Sequence, residues 1–364
     1  MQQPRRCPDS TSFHLKLRLM TAGLAVSRAA RRAIEGDNEG RLIIKDYPTT
    51  DGLTVILPGQ VYANAVIIEE AKASMMLEVD ETASSFSIRS ETMSTPVDVL
   101  PHPTYVREFD PAVHGSMTHA DRVRLSPIDG CAFACAFCDS HLAEYRRRTE
   151  EQLMMGLRAA QDDSRIPARH ALISGGTPRP EDTAWLDDLY EHIITEADMP
   201  VDVMLAPRDD LAIIDRLHSA GARGLSMNIE LFGDEISRSY CPSKHALGHH
   251  AYESALSRAV DRFGAAGQVR SLILIGLEPI ADTLRAVEFV ARLGADPVLS
   301  PFRPARGTSL QSVAPPDADL LLAAWERASE IVERYGVKLG PRCIPCQHNT
   351  LTAPDDSGAY YFSG

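Results

Sequence analysis

Taken from its start, the chain changes rhythm twice. Leu17, Met20 and Leu24 recur at helical spacing and predict an amphipathic helix over about 13–34. Residues 1–12 before it carry Pro, Ser and charge without periodicity and read as a disordered tail. From 41 to about 99 the pattern becomes short β-like runs: Leu42-Ile43-Ile44, 53–57, 75–79 and 86–88. Gly, Pro, Asp and Ser break these runs. Residues 13–118 thus form a small α+β leader domain, closed near Pro101-His102-Pro103, with no recognisable chemistry of its own.

From about Arg122 the rhythm becomes strand, loop, helix. Val123-Arg124-Leu125 is the first strand. Thr149 and Gln152 then form a capping box that opens a helix with Leu153, Leu157 and Ala160 on one face. Further strands are expected at 171–173, 201–205, 225–229, 269–275 and 297–302, each followed by a helix. The run 269–275 is apolar throughout, as for a strand buried on both faces. A stretch at 336–339 offers a seventh strand. Such alternation implies a parallel sheet, and curled it is an α/β, TIM-like (β/α) barrel of six to eight parallel strands over 119–340. A tail, 341–364, follows.

Composition narrows the function. A chain of 364 residues holds one large α/β domain and a smaller one. The net charge of −13 argues against a nucleic-acid groove, and no apolar run reaches the roughly 20 residues of a membrane span. Seven cysteines without a secretory leader imply a reducing compartment, where thiols bind metal. The first 34 residues are Arg-rich and acid-poor, as in a mitochondrial transit peptide. The same stretch also reads as an ordinary helix, and the cytoplasmic reading is taken.

Three of those cysteines, Cys131, Cys135 and Cys138, sit close together after the first strand with small and aromatic residues between them. Thiolates suit iron–sulfur clusters or zinc. Three thiolates leave one iron of a four-iron cluster open, whereas His141 would complete a four-coordinate zinc site. In the barrel reading this loop lies at the strands' C-terminal face, where barrel chemistry sits. The second strand ends in Ser174-Gly175-Gly176-Thr177-Pro178, a glycine pair that lets backbone approach a ligand. The fourth ends with Asn228 and Glu230 on one face, where a lone interior carboxylate is costly unless satisfied. The fifth runs into Ile275 and Gly276, and the sixth into Arg303, a candidate partner for a substrate carboxylate or for a surface acid.

The cysteine spacing, with aromatic Phe137 before the third thiol, resembles the cluster loop of the radical S-adenosylmethionine (SAM) enzymes. The segments 174–178, 275–279 and 301–310 are similar, in order, to the family's further elements, above all in the biotin synthase-like branch with the hydrogenase maturases and methylornithine synthase. One departure is Thr177, where the family has Glu. The resemblance implies a [4Fe-4S] cluster on Cys131, Cys135 and Cys138. It also implies SAM contacts from Phe137, Ser174, Gly175, Gly176, Thr177, Asn228, Glu230, Ile275 and Gly276. Cleavage of SAM would abstract hydrogen from a small organic substrate, with flavodoxin or ferredoxin as electron donor.

A second pair, Cys343 and Cys346, stands in the tail. With Cys241 or His348 it suits an auxiliary iron–sulfur cluster, which the resemblance links to sulfur insertion. A thioredoxin-like dithiol, a small zinc site and metal-free cysteines are the alternatives. Carbon-skeleton rearrangement or fragmentation would need no second cluster. The reading from another class is a non-enzymatic zinc or iron–sulfur protein with His141 as a ligand.

Overall fold

Gly23 decides how the chain begins. The computed structural model describes residues 10–35, 52–80, 82, 84–100, 102–105, 115–352 and 354. In it the single first helix expected over 13–34 is two: α1 (Ser10–Thr21) and α2 (Arg28–Glu35), with the two-residue strand β1 (Ala25–Val26) between them. Gly23 turns the chain at a φ of +83°, and a Cβ there would stand 2.8 Å from Ile68 Cγ2. Positive φ and close approach together require glycine.

Helix α1 is buried on two faces. Phe13, Leu17 and Met20 join the large core, and Leu15 and Leu19 join a smaller one. Between these faces Lys16 is fully buried; its Nζ donates to the carbonyls of Gln347 (2.7 Å) and Thr352 (2.5 Å). Burial without a carboxylate partner pulls its pKa well below the usual lysine range. The start of the described chain is thereby tied to its end.

The smaller core lines a six-stranded sheet built from β1, β2 (Leu53–Leu57), β3 (Val61–Ala65), β4 (Met76–Asp80), β5 (Ser85–Arg89) and β6 (Ser94–Val99), in the order β1-β4-β5-β6-β2-β3. The β1–β4 pair is parallel and the others antiparallel. Strands β2, β4 and β5 fall where the sequence pattern put them. Strand β3 is buried at every position, so it shows no alternation, and β6 contains Pro96, a residue that reads as a breaker. Leu42-Ile43-Ile44 and most of the tail before Phe13 lie outside the described residues.

The main sheet holds β7 (Ser116–His119), β8 (Arg122–Leu125), β11 (His170–Ile173), β12 (Val201–Met204), β13 (Gly224–Ser226), β14 (Val269–Ile275) and β15 (Asp296–Pro301). A short clasp, β9 (Ile128–Asp129) with β10 (Arg146–Arg147), projects from it. The order is β15-β14-β13-β12-β11-β8-β7, with six strands parallel and β7 an antiparallel edge. Residues 116–118, expected in the leader, belong to this sheet as part of β7. Its two edges do not pair, so among the described residues the sheet is open and not a closed barrel. The stretch 336–339, expected as a seventh parallel strand, is not a strand. It runs beside β15, where Lys338 N donates to Asp296 Oδ1 (3.2 Å) and Gly340 N to Pro297 O (2.8 Å).

The connecting helices are α3 (Glu150–Gln161), α4 (Thr183–Glu196), α5 (Ala212–Ala220), α6 (Asp234–Tyr240), α7 (Pro242–Phe263), α8 (Ile280–Arg292) and α9 (Ala318–Tyr335). Thr149 and Gln152 form the expected capping box before α3. Among the described residues, no helix is long and apolar enough to cross a membrane. At the strands' N-terminal ends Arg270 of β14 reaches across β13 to Asp202 of β12 (2.7 Å). Gly224 of β13 leaves the room, since a Cβ there would stand 2.9 Å from Asp202 Oδ1 and 2.4 Å from Gln268 O.

Replacing Lys16 by Met tests the tie between α1 and the tail. It leaves the Thr352 carbonyl buried without its ammonium, at a cost of roughly 1–3 kcal/mol. A lowered unfolding free energy in denaturant titration is expected, and an unchanged one would contradict the role given to Lys16.

Candidate functional site

Strand β8 delivers the chain to the sheet's C-terminal face, and the β9–β10 clasp pins both ends of the cysteine loop. Arg148, buried beside the clasp, donates to Asp129 Oδ1 (2.5 Å) and Ser126 O (2.8 Å). Gly130 opens the loop at a φ of +72°, and a Cβ there would meet Tyr145 Cα at 2.8 Å. The loop then meets the Gly-Gly turn after β11. A Cβ on Gly176 would fall 1.7 Å from the carbonyl oxygen of Gly130, so the two backbones touch. One residue on, Thr177 uses both its main-chain groups: its carbonyl accepts from Ala132 N (2.9 Å) and its N–H donates to Cys131 Sγ (3.1 Å). Phe133 N also donates to that sulfur (3.3 Å). The main chain of Thr177 therefore holds the cysteine loop.

The other two thiols face an apolar wall. Cys135 is buried with Leu231 and Cys241, and Phe133, Phe137, Cys138, Leu274 and Leu277 pack against them. Ala136 N donates to Tyr240 O (2.7 Å), and Cys138 Sγ lies 3.3 Å from Ser140 Oγ. Burial pushes the thiols of Cys135 and Cys138 up from their ordinary pKa. They become thiolates here when a metal draws the proton off. The donor set fits an iron–sulfur cluster: sulfurs on one short loop, apolar surroundings, and main-chain N–H groups aimed at Cys131. His141 does not convert the set into a single-ion zinc site, because among the described residues the one group of donors converging within 4.8 Å lies elsewhere.

Beside this loop, Asn228 and Glu230 follow β13. Asn228 Oδ1 accepts from Ser226 Oγ (2.8 Å) and Leu272 N (3.2 Å), standing in for a ladder bond and ending the strand earlier than expected. Glu230 is in the left-handed region at a φ of +63°, and its carboxylate pairs with Lys244 Nζ at 3.0 Å. Lys244 also donates to Asn228 O (2.8 Å). Burial opposes its charge, but the Glu230 carboxylate outweighs it and raises its pKa. Ser174 Oγ and Asn228 Nδ2 both reach Met204 Sδ, at 3.4 and 3.3 Å. Gly175 leads into the contact turn, Ile275 is buried in the main core, and Gly276 turns at a φ of +107° against Pro316. Arg303 is half-buried just beyond β15. Lys244 carried no sequence signal, and Glu278, which lay in the 275–279 segment without being named as a site residue, accepts from Phe232 N (2.9 Å) and Gly233 N (2.8 Å) at the start of α6.

The second cysteine pair lies at the other end of the sheet. Cys343 and Cys346 gather with His170, the first residue of β11, and Asp121, just before β8, their ligand atoms all within 4.8 Å of one another. Neither partner expected for the pair is part of this group. Cys241 packs against Cys135, its thiol pushed up to about 12 by burial. His348 turns its Nδ1 to Pro345 O (2.9 Å) and stacks on His119. Asp121 and His170 escaped the sequence reading because they stand at the starts of strands as ordinary polar residues.

No protein-family model matches the chain. The bacteriochlorophyllide c C-7(1)-hydroxylase of Chlorobaculum limnaeum is 23% identical over 360 residues, covering 91% of this chain and 87% of that protein. Among solved structures, the [FeFe]-hydrogenase maturase HydG aligns at 16% identity and a TM-score of 0.47, over 64% of this chain and 52% of its own. Methylornithine synthase aligns at 15% and 0.44, over 66% and 77%. Coproporphyrinogen III oxidase from Escherichia coli, a radical SAM enzyme, aligns at 18% and 0.41, over 58% and 52%. The chain thus spans about half the length of two of these structures. The long curated match covers most of both chains, and the solved structures share only part of the fold.

The backbone contact generates a paired test. Gly176→Ala forces apart the two loops that position Cys131, and iron retention after anaerobic reconstitution is expected to fall severalfold. Gly175→Ala, whose nearest neighbour would be Ile128 O at 3.3 Å, is expected to stay near the parent value. Equal behaviour of the two variants would contradict the role given to the Gly176–Gly130 contact.

Proposed function

We propose that Cys131, Cys135 and Cys138 hold a [4Fe-4S] cluster whose open iron takes SAM, and that the chain acts on a C–H bond of a small organic substrate. When bound and reduced, such a cluster supplies the electron that splits SAM to methionine and a 5′-deoxyadenosyl radical, the hydrogen-abstracting species. The residues of this chain bind and shield. Phe133, Phe137, Leu274 and Leu277 keep water from the thiols, and the N–H groups of Thr177 and Phe133 stabilise charge on Cys131. Gly175 and Gly176 bring backbone to the methionine end of SAM, with Ser174 and the Thr177 hydroxyl as polar neighbours. Asn228 and Glu230 face its polar groups. Lys244 orients Glu230 through their ion pair, and Ile275 with Gly276 flanks the adenine. Arg303 is the candidate partner for a substrate carboxylate. A flavodoxin- or ferredoxin-type donor delivers the electron.

The observation that carries this reading is the three-thiol loop fastened through Cys131 and Ala132 to the turn after the second parallel strand. For the outcome after abstraction, hydroxylation of a substrate carbon is favoured by the name of the long curated match. Sulfur insertion through an auxiliary cluster is less supported, since Cys343 and Cys346 lie apart from Cys241 and their donors converge tightly.

Anaerobic reconstitution tests the reading. About four irons per chain on the three-cysteine loop are expected, with 5′-deoxyadenosine formed from SAM under dithionite. Replacing Cys131, Cys135 or Cys138 by Ala should abolish the product. An iron-free protein, or product formation that survives those substitutions, would overturn it.

A further inference from the structure

His170 Nε2 stands 3.5 Å from Cys346 Sγ, 3.6 Å from Cys343 Sγ and 3.4 Å from Asp121 Oδ1. A single ring nitrogen carries at most one hydrogen, so it cannot satisfy three such neighbours by hydrogen bonding. Asp121 Oδ1 in turn makes no hydrogen bond although it is buried. The separations match a different arrangement. With bonds of about 2.3 Å to sulfur and about 2.0–2.1 Å to nitrogen or oxygen, the edges of a tetrahedron around zinc are about 3.6 Å from nitrogen to sulfur and about 3.3 Å from nitrogen to oxygen.

From this convergence we infer that Cys343, Cys346, His170 and Asp121 form a mononuclear zinc site that fastens the C-terminal segment across the N-terminal ends of the main sheet. Two soft thiolates with an imidazole select zinc among the common divalent ions. Four protein ligands fill a tetrahedron, so the site is closed and structural. A four-iron cluster is disfavoured here because it holds its ligands apart by its own width, whereas these four donors meet near one point. The setting agrees. The two cysteines sit in a buried stretch whose Gln347 carbonyl, with that of Thr352 further on, accepts from Lys16, and His170 and Asp121 sit at the starts of neighbouring parallel strands. The four-residue strand β8, roughly 13 Å long, separates this end from the Cys131 loop. The site stands or falls independently of the radical SAM reading.

The test is metal analysis of the full chain, purified anaerobically from medium containing both iron and zinc. About one zinc per chain is expected in addition to iron. Zinc should remain when Cys131, Cys135 and Cys138 are replaced by Ala, which removes iron. It should fall at least tenfold in Asp121→Asn and His170→Ala while iron is kept. Exchange of the parent protein's zinc for cobalt guards against misfolded variants: tetrahedral ligand-field bands with thiolate charge-transfer absorption are expected. Absence of zinc, loss of iron instead of zinc on replacing Cys343 and Cys346, or a Cys343–Cys346 disulfide in the purified protein would each overturn the site.

Discussion

The candidate site depends on one contact between backbones. Gly176 lies so close to the carbonyl of Gly130 that no side chain fits between them, and that closeness lets Thr177 reach Ala132 and Cys131 with its main chain. A loop of small and apolar residues has little means of fixing itself, since loops are held mainly by what their backbone polar groups find. Here the partners come from the neighbouring parallel strand's end and from Tyr240. Placement of the three thiols is thus a property of the sheet, transmitted through two glycines.

The sheet separates two kinds of chemistry. Its C-terminal ends carry the cysteine loop, the Ser174, Asn228 and Met204 contacts and the Glu230–Lys244 pair. Its N-terminal ends carry fixed charge and the second thiol pair: Asp202 with Arg270, Asp296 with Arg342, and His170 beside Cys346. There Cys346 is held well below the usual thiol range. Burial opposes this, but a hydrogen bond from Cys343 and the positive charges of Arg122 and His170 outweigh it. His170 is pushed up to about 9; burial opposes that shift too, and Cys346 and Asp121 outweigh it. Helix α1 and the tail close over this end, joined through Lys16.

Much of this was legible in the sequence. The six parallel strands, the capping box at Thr149 and the order of loops along the sheet followed from periodicity and turn residues, because strands buried on both faces leave plain apolar runs. Features made by contacts between distant residues were not legible. Strand β3 is buried throughout and has no alternation to read. Gly23 splits a helix because Ile68 approaches it. Among the described residues, openness of the sheet depends on long-range pairing at its edges, which no local pattern shows. At the site, the cysteine spacing suggested a metal loop, but the partners of Glu230 and of Cys343 lie 14 and more than 100 residues away, as Lys244, Asp121 and His170. Spacing could suggest Cys241 and His348 as companions of the second pair, whereas only folding brings Asp121 and His170 to it.

The most direct test of the central assignment is electron paramagnetic resonance of the anaerobically reconstituted, reduced protein, recorded with and without SAM. A reduced-cluster signal whose g-values change when SAM is added is the expected result. A signal indifferent to SAM, or a reduced protein with no cluster signal, would contradict an open iron on the Cys131, Cys135 and Cys138 loop.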